Sequence, residues 1–199
     1  TGIETNRGTF KAPQVYINAA PHYVMNHLFD PELPLDDAKK KLDDLKPSWS
    51  TLTLYVVIDG TPADYGLNCT ETFLINALND EAHLLRQQAA ASGNEQLLEH
   101  AYWSASPIEI TNYHAMDPDS GSVLIFNLLD SIDHWPERRT PEYKQKKKRA
   151  SEIVFDRFFE RFPAFRGHIK YAEVSTPRTC VRYTNNTVGA GFGALVGTA

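Results

Sequence analysis

The sequence predicts an α+β fold, a mixed β-sheet flanked by helices. Three observations carry that expectation. Strand-like apolar runs are interspersed with stretches of helical periodicity, and neither a repeat nor a low-complexity linker interrupts them. At 199 residues, 42% hydrophobic and 11% aromatic, the chain is long enough to bury a core in one domain or slightly more.

Taken in order, Ile3 to Thr5 and Phe10 to Ile17, joined around Asn6, Arg7 and Gly8, read as a β-hairpin whose turn residues tolerate positive φ. Its second arm ends at Asn18. Pro21 to Phe29 reads as a short helix. Leu35, Ala38, Leu42 and Leu45 recur at helical spacing, which predicts a second helix over Leu35 to Leu45 that Pro47 stops. Thr51 to Asp59 alternates and runs apolar like a central strand. Phe73 to Leu78 and Ile108 to Tyr113 are further strands, with a helix from Asp80 to about Ala91 between them. Val123 to Leu129, apolar but for Asn127, reads as a buried strand.

Thr140 and Pro141 start the longest helix, because a threonine oxygen can cap free N–H groups and proline loses nothing at the first helical position. Tyr143, Ala150, Val154, Phe158 and Phe162 form its apolar stripe, and Pro163 ends it. The phenylalanines at 155, 158, 159 and 162 read as core. His168 to Val174 is the last strand. Thr176 and Pro177 repeat the helix-start signal, opening a short helix that carries Thr179, Arg182 and Tyr183 and ends at Asn185 and Asn186. Gly189, Gly191 and Gly193 then let backbone lie close against another surface, which suits contact with a flat, rigid ligand.

Charge and residue usage exclude several classes. A formal net charge of −5 and a pI near 5.8 argue against a nucleic-acid surface, which needs a basic face. The basic run Lys144 to Arg149 lies inside the helical pattern and reads as its solvated side. Cys69 and Cys180 are far apart with no metal spacing around either, as in a reduced, cytoplasmic protein. No apolar run approaches the about 20 residues that span a bilayer, so membrane contact is expected to be peripheral. His22 and His27 fall on different helix faces and make a poor zinc pair. Glu109, His114, Asp117, Asp119, Asp130 and Asp133 lack the spacing of a calcium loop and read as solvated carboxylates. Ser104, Ser106, Ser120 and Ser122 read as turn residues rather than nucleophiles. The acceptor patterns at Asn68 and Asn185 are read as chance.

The stretch Glu173 to Gly193 contains Ser175, Thr176 and Pro177, then Arg182, Tyr183 and Thr184, then Gly189, Ala190 and, after two residues, Gly193. It resembles the segment preceding the final FAD-binding strand in the FAD-dependent phytoene dehydrogenase, carotenoid isomerase and retinol saturase family. Gly8 to Pro21, with Asn18, Ala19, Ala20 and Pro21 at its end, is similar to that family's N-terminal "NA, then P" segment. Leu45, Lys46, Pro47, Ser48 and Trp49, followed by the strand Leu52 to Ile58, look like its entry into the substrate region. Three matches in the right order and spacing span nearly the whole chain.

The resemblance implies FAD as cofactor, hydride transfer between flavin and substrate, and an apolar polyene such as a carotenoid or retinoid as substrate. Desaturation, saturation and isomerisation stay open, and no catalytic base stands out. It implies Asn18, Ala19, Ala20, Pro21, Arg182, Tyr183, Thr184, Gly189, Ala190 and Gly193 as cofactor-facing residues. Arg182 either stabilises flavin charge or makes an ordinary surface ion pair. It also implies a division into 1–30, a remnant of the FAD-binding domain; 31–175, the substrate-binding domain; and 176–199, a return toward the cofactor.

No G-x-G-x-x-G loop joins a strand to a helix, where a pyrophosphate would be gripped. Gly191, Gly193 and Gly197 have a related spacing but follow an asparagine turn. The expectation is therefore a fragment, mainly the substrate-binding half of a flavin enzyme, that holds FAD weakly by itself and self-associates through an exposed domain interface. Two alternatives remain: a non-catalytic lipid-binding or protein-interaction module, and a hydrolase or transferase sharing the fold.

Overall fold

In the computed structural model, which describes residues 2–75 and 79–194, the chain opens with an exposed hairpin of β1 (Gly2–Thr5) and β2 (Gly8–Lys11). Gly8, at φ 125°, makes the turn. The second arm stops at Lys11, short of the expected Ile17, and Pro13 just beyond it has no N–H to extend the ladder. Two short helices follow, α1 (Pro21–His27) and α2 (Asp36–Asp43), each within two residues of its expected end.

Five strands make the main sheet: β3 (Ser50–Ile58), β4 (Glu71–Leu74), β5 (Ile108–Asn112), β6 (Val123–Asp130) and β7 (Ile169–Ser175). Their order is β4-β5-β6-β3-β7. Every pairing among them is antiparallel, where a mixed sheet was expected. The physical reason lies in β3 itself. Leu52, Leu54, Val56 and Ile58 point inward while Tyr55 and Val57 stay exposed, the alternation of an antiparallel sheet covered on one face. β6 alternates too, with Leu124, Phe126 and Leu128 inside, so it is half-buried and not the doubly covered strand its apolar run suggested. β4 occupies Glu71–Leu74, and the expected extension to Leu78 falls on 76–78, outside the described residues.

The covered face lies under α4 (Glu95–Ala105) and α6 (Pro141–Arg161), with α3 (Asn79–Ala91) packed against α4 and the four-residue α5 (Tyr113–Met116) following β5. Phe158 of α6 is fully buried with its ring centroid 4.8 Å from Phe126 of the sheet and 4.8 Å from Phe165, so the phenylalanine stripe is core as expected. Thr140 accepts from the Tyr143 N–H at 3.2 Å, which begins α6 where the sequence indicated.

Helix α4 was not anticipated. It buries Glu99 beside Trp103 on one side and Ala101 with Ala105 on the nearly opposite side, which blurs the apolar period. Its start was nonetheless marked: Gly93, at φ 65°, ends α3, and the Asn94 side chain accepts from the Gln96 and Leu97 N–H groups. Arg157 ties these layers together. Its Nη1 donates to the Trp103 and Ser106 carbonyls at 2.6 Å each, and burial pushes its pKa down to about 10. Among the described residues, no helix is long and apolar enough to cross a membrane.

Candidate functional site

The last strand leads directly into α7 (Pro177–Thr184). Thr176 precedes it as expected, but its hydroxyl is shared with the Tyr143 hydroxyl at 2.8 Å, while its N–H donates to Thr179 Oγ1 at 3.2 Å. This fastens the start of α7 to α6. Asn185, at φ 54°, ends the helix, and a turn at Thr187–Gly189 redirects the chain.

Beyond that turn the chain runs back along residues 47 to 49. The Gly191 N–H donates to the Trp49 carbonyl at 3.0 Å, the Phe192 N–H to Ser48 Oγ at 3.0 Å, and the Ser48 N–H to the Gly193 carbonyl at 2.9 Å. Pro47 and Ala194 form an isolated antiparallel bridge. On the other side Ala20 and Pro21 close the same hollow, a space of about 70 Å³ lined also by Leu45, Pro47, Ala190 and Gly193. The three segments that carry the sequence resemblance thus meet at one place.

The ten implied cofactor-facing residues divide into three groups there. Ala20, Pro21, Ala190 and Gly193 line the hollow, with Ala20 and Ala190 buried. Asn18 and Ala19 lie exposed just before it, and Arg182, Tyr183 and Thr184 are exposed on α7. Arg182 stands over the Tyr183 ring at 5.1 Å, and it makes none of the ion pairs found among the described residues. Gly189 turns inward: a Cβ there would stand 2.6 Å from the Pro177 carbonyl oxygen. At Gly193, φ 77°, a Cβ would meet nothing within 4 Å. Gly197 lies outside the described residues.

Beside the hollow, the end of β6 holds a buried carboxylate that the sequence reading had placed in solvent. Asp130 Oδ1 accepts from the Ser131 N–H at 2.8 Å and lies 2.6 Å from His134 Nδ1, while Oδ2 accepts from Trp135 Nε1 at 2.8 Å. The 3-10 turn Ile132–His134 folds both rings back onto it. Arg178 of α7 then donates from Nε and Nη2 to the Trp135 carbonyl at 3.1 and 2.9 Å and pairs with Glu137 at 2.9 Å. Asp130 is thereby an indirect support of α7.

On the helical side, a cleft of about 300 Å³ opens among α3, α4, α6 and the 131–134 turn. Glu99 sits in its wall, 2.7 Å from Lys146 and accepting from Arg149 Nε and Nη2 at 3.1 and 2.8 Å. Lys146 is only 7% exposed, so the basic run is not uniformly solvated. The cause is helical phase: three residues after Tyr143 and four before Ala150, Lys146 shares the buried stripe. Burial, and next the Asp130 charge, raises the pKa of Tyr102, whose hydroxyl donates to the Leu129 carbonyl.

A third cluster sits at the far end of β3. Asp59 Oδ2 is 2.7 Å from Lys170 Nζ, and its Oδ1 is 2.7 Å from His168 Nδ1 and accepts from the Tyr65 hydroxyl at 3.1 Å. The Lys170 hydrogen bond first, then that of His168, holds the Asp59 pKa down at about 2. The cluster lies at the surface.

Cys69 and Cys180 are free thiols, and no group of three or more His, Cys, Asp or Glu among the described residues is placed to hold a metal ion. No family model matches the sequence, and neither does any curated protein.

Proposed function

We propose that this chain forms one wall of the cofactor site, together with the substrate-binding part, of an FAD-dependent oxidoreductase acting on an apolar polyene. The observation that supports this reading is the meeting of the three resembling segments, around residues 20, 47 and 190, at a single hollow. Sequence-distant motifs that share one ancestral role in cofactor contact have reason to converge in space.

The fit to a flavin is partial and specific. A hollow of about 70 Å³ falls well below the about 300 Å³ at which ligand pockets begin, so these residues do not enclose an isoalloxazine. They offer a face instead. Tyr183 is 72% exposed on α7, and Phe192 is 73% exposed next to an unobstructed Gly193 backbone. Flavin, when bound, supplies the hydride chemistry. The chain's own part is to present Tyr183, Phe192 and the Gly193 backbone to one side of the ring and to keep water from it, with Arg182 supplying positive charge nearby.

The substrate surface in this proposal is the open face of the sheet. Val57 pairs with Val123 on one side and Tyr171 on the other, and Tyr55 pairs with Ile125 on one side and Glu173 on the other, giving an apolar patch with a carboxylate at its β7 edge. Directly opposed residues share a face, so these side chains stand together. The same patch equally suits the second reading, a lipid-binding or protein-interaction module that holds no flavin.

Hydrogen–deuterium exchange separates the two. The protein purified from its native source, stripped of flavin and then given FAD, is expected to gain protection at residues 18–21 and 182–193. Unchanged exchange in both segments overturns the oxidoreductase proposal and leaves the binding module.

A further inference from the structure

The main sheet ends on one side in β4, four residues long, and on the other in β7, which runs seven residues and pairs with β3 alone. Among the described residues, no backbone hydrogen bond outside that ladder reaches 170–175. In an antiparallel pair alternate residues turn N–H and C=O away from the partner, so about half of the β7 backbone groups face outward. No proline interrupts the strand, and its register shift against β3 lies at its start, beside Ile169. The edge is a template for one more strand.

Beside it an open trough of about 440 Å³ separates β7 from α6. Ala172 and Val174 pair with Val56 and Leu54, both fully buried, so they point to the helical side. Ala172 is exposed all the same, because α6 does not cover this edge. Lys144, Lys147 and Lys148 line the trough at spacings of three and four residues, which sets them on one face of α6. Lys144 and Lys147 join none of the ion pairs found among the described residues, and Lys148 has an exposed contact with Glu152 at 3.7 Å. Glu173 is the one carboxylate lining the trough, and it accepts from the Tyr171 hydroxyl. A basic patch therefore borders the free edge of a chain whose formal net charge is −5.

These lysines select the occupant. Two copies joined through β7 about a two-fold axis would bring both lysine rows to the same side of the joined sheet, where they repel. An acidic strand meets the opposite field. One helical turn rises about 5.4 Å and alternate strand residues stand about 6.8 Å apart, so successive carboxylates on one face of an added strand keep step with the lysine row. Its other face would continue the open side of the sheet next to Tyr171, which suits apolar residues.

We propose that β7 is a docking edge for an extended peptide of a partner protein that alternates acidic and apolar residues, added as a sixth strand with its carboxylates toward Lys144, Lys147 and Lys148. Main-chain pairing gives such additions their affinity and the alternate side chains their specificity. The site uses none of the residues assigned to the flavin wall, so the two proposals stand or fall separately.

The test is an NMR titration of the whole ¹⁵N-labelled chain with the peptide Ac-TEVEVEVT-NH2. Amides of 170–175 are expected to shift saturably, with Kd about 1 mM or tighter. Raising NaCl from about 0.05 to about 0.5 M should weaken binding about tenfold. Lys144→Glu with Lys147→Glu should weaken it at least about tenfold, whereas Lys40→Glu with Lys41→Glu, the same charge change on α2, should leave it within about twofold. Two further peptides carry N-methyl groups on the glutamates alone or on the valines alone. Only one of these two sets of N–H groups faces β7, so one peptide should lose binding and the other keep it. Both retained would mean a purely electrostatic patch, and unmoved 170–175 amides no docking at all; either overturns the proposal. So would shifts of 170–175 with protein concentration in the absence of peptide, which assign the edge to a second copy. The N-methyl comparison uses the wild-type chain and stands even if the lysine variant does not fold.

Discussion

Two glycines of the 189–193 segment share a left-handed backbone but differ in surroundings, which makes them a matched pair of probes. Gly189 has φ 72° and Gly193 φ 77°. An alanine in that region costs about 1–2 kcal/mol from its Cβ alone. At Gly193 nothing further is met within 4 Å. At Gly189 the new Cβ would stand 2.6 Å from the Pro177 carbonyl oxygen, 3.1 Å from Ser50 Oγ and 3.2 Å from Cys180 Cβ. The first contact is with backbone at the start of α7, which cannot rotate away, and forcing it apart adds about 1–3 kcal/mol. Gly189→Ala is therefore expected to be the more destabilised by that difference, about 2–12 °C in Tm for a chain of this size. Circular dichroism melts with urea titration measure it. Equal losses, or a larger loss at Gly193, would refute the claim that Gly189 serves internal packing while Gly193 presents open backbone.

Three further outcomes follow from the core and the ion clusters. Glu99→Gln should cost about 3–5 kcal/mol in urea unfolding, because Lys146 is left buried without its counter-charge, and the double change Glu99→Leu with Lys146→Met should recover most of the loss. Phe158→Ala should cost about 3–5 kcal/mol, since that ring contacts both the sheet and the Phe162–Phe165 corner. Asp59 has its pKa lowered from 3.8 to about 2, so its ion cluster stabilises the fold above the unfolded value and loses that contribution as pH falls from about 4 toward 2. Melts of Asp59→Asn should accordingly lie below wild type at neutral pH and converge with it near pH 2; a gap that persists or widens in acid contradicts this.

What the sequence disclosed follows from how local each signal is. The ends of α6 and α7 are written in adjacent residues, Thr140 with Pro141 and Thr176 with Pro177, and both helices start there. The direction of the sheet was present in the alternation of β3 but hidden by the apolar run of β6, broken only by Asn127 before its final Asp130, whose outward Ile125 and Leu129 belong to the open face. Helix α4 went unseen because Glu99 interrupts its buried face, and the partner that makes Glu99 tolerable, Lys146, comes from another helix. Lys146 itself was legible from its phase between Tyr143 and Ala150, had the apolar stripe been weighed above the charge run. Asp130 was not legible. Its burial depends on a short turn bringing His134 and Trp135 back over it, and on Arg178 holding that turn from α7. At the candidate site, local glycine and proline signals identified the segments around 20, 47 and 190, while the meeting of the latter two rests on backbone hydrogen bonds spanning most of the chain and that of the first on its packing at the hollow.

The most direct test of the central proposal is the visible absorbance of the protein purified from its native source. Bound flavin, released into the supernatant on denaturation in about equimolar amount, is the result the proposed role predicts, together with reduced retention in a Gly193→Ala variant that still folds. A folded native protein with no flavin absorbance before or after denaturation would contradict it.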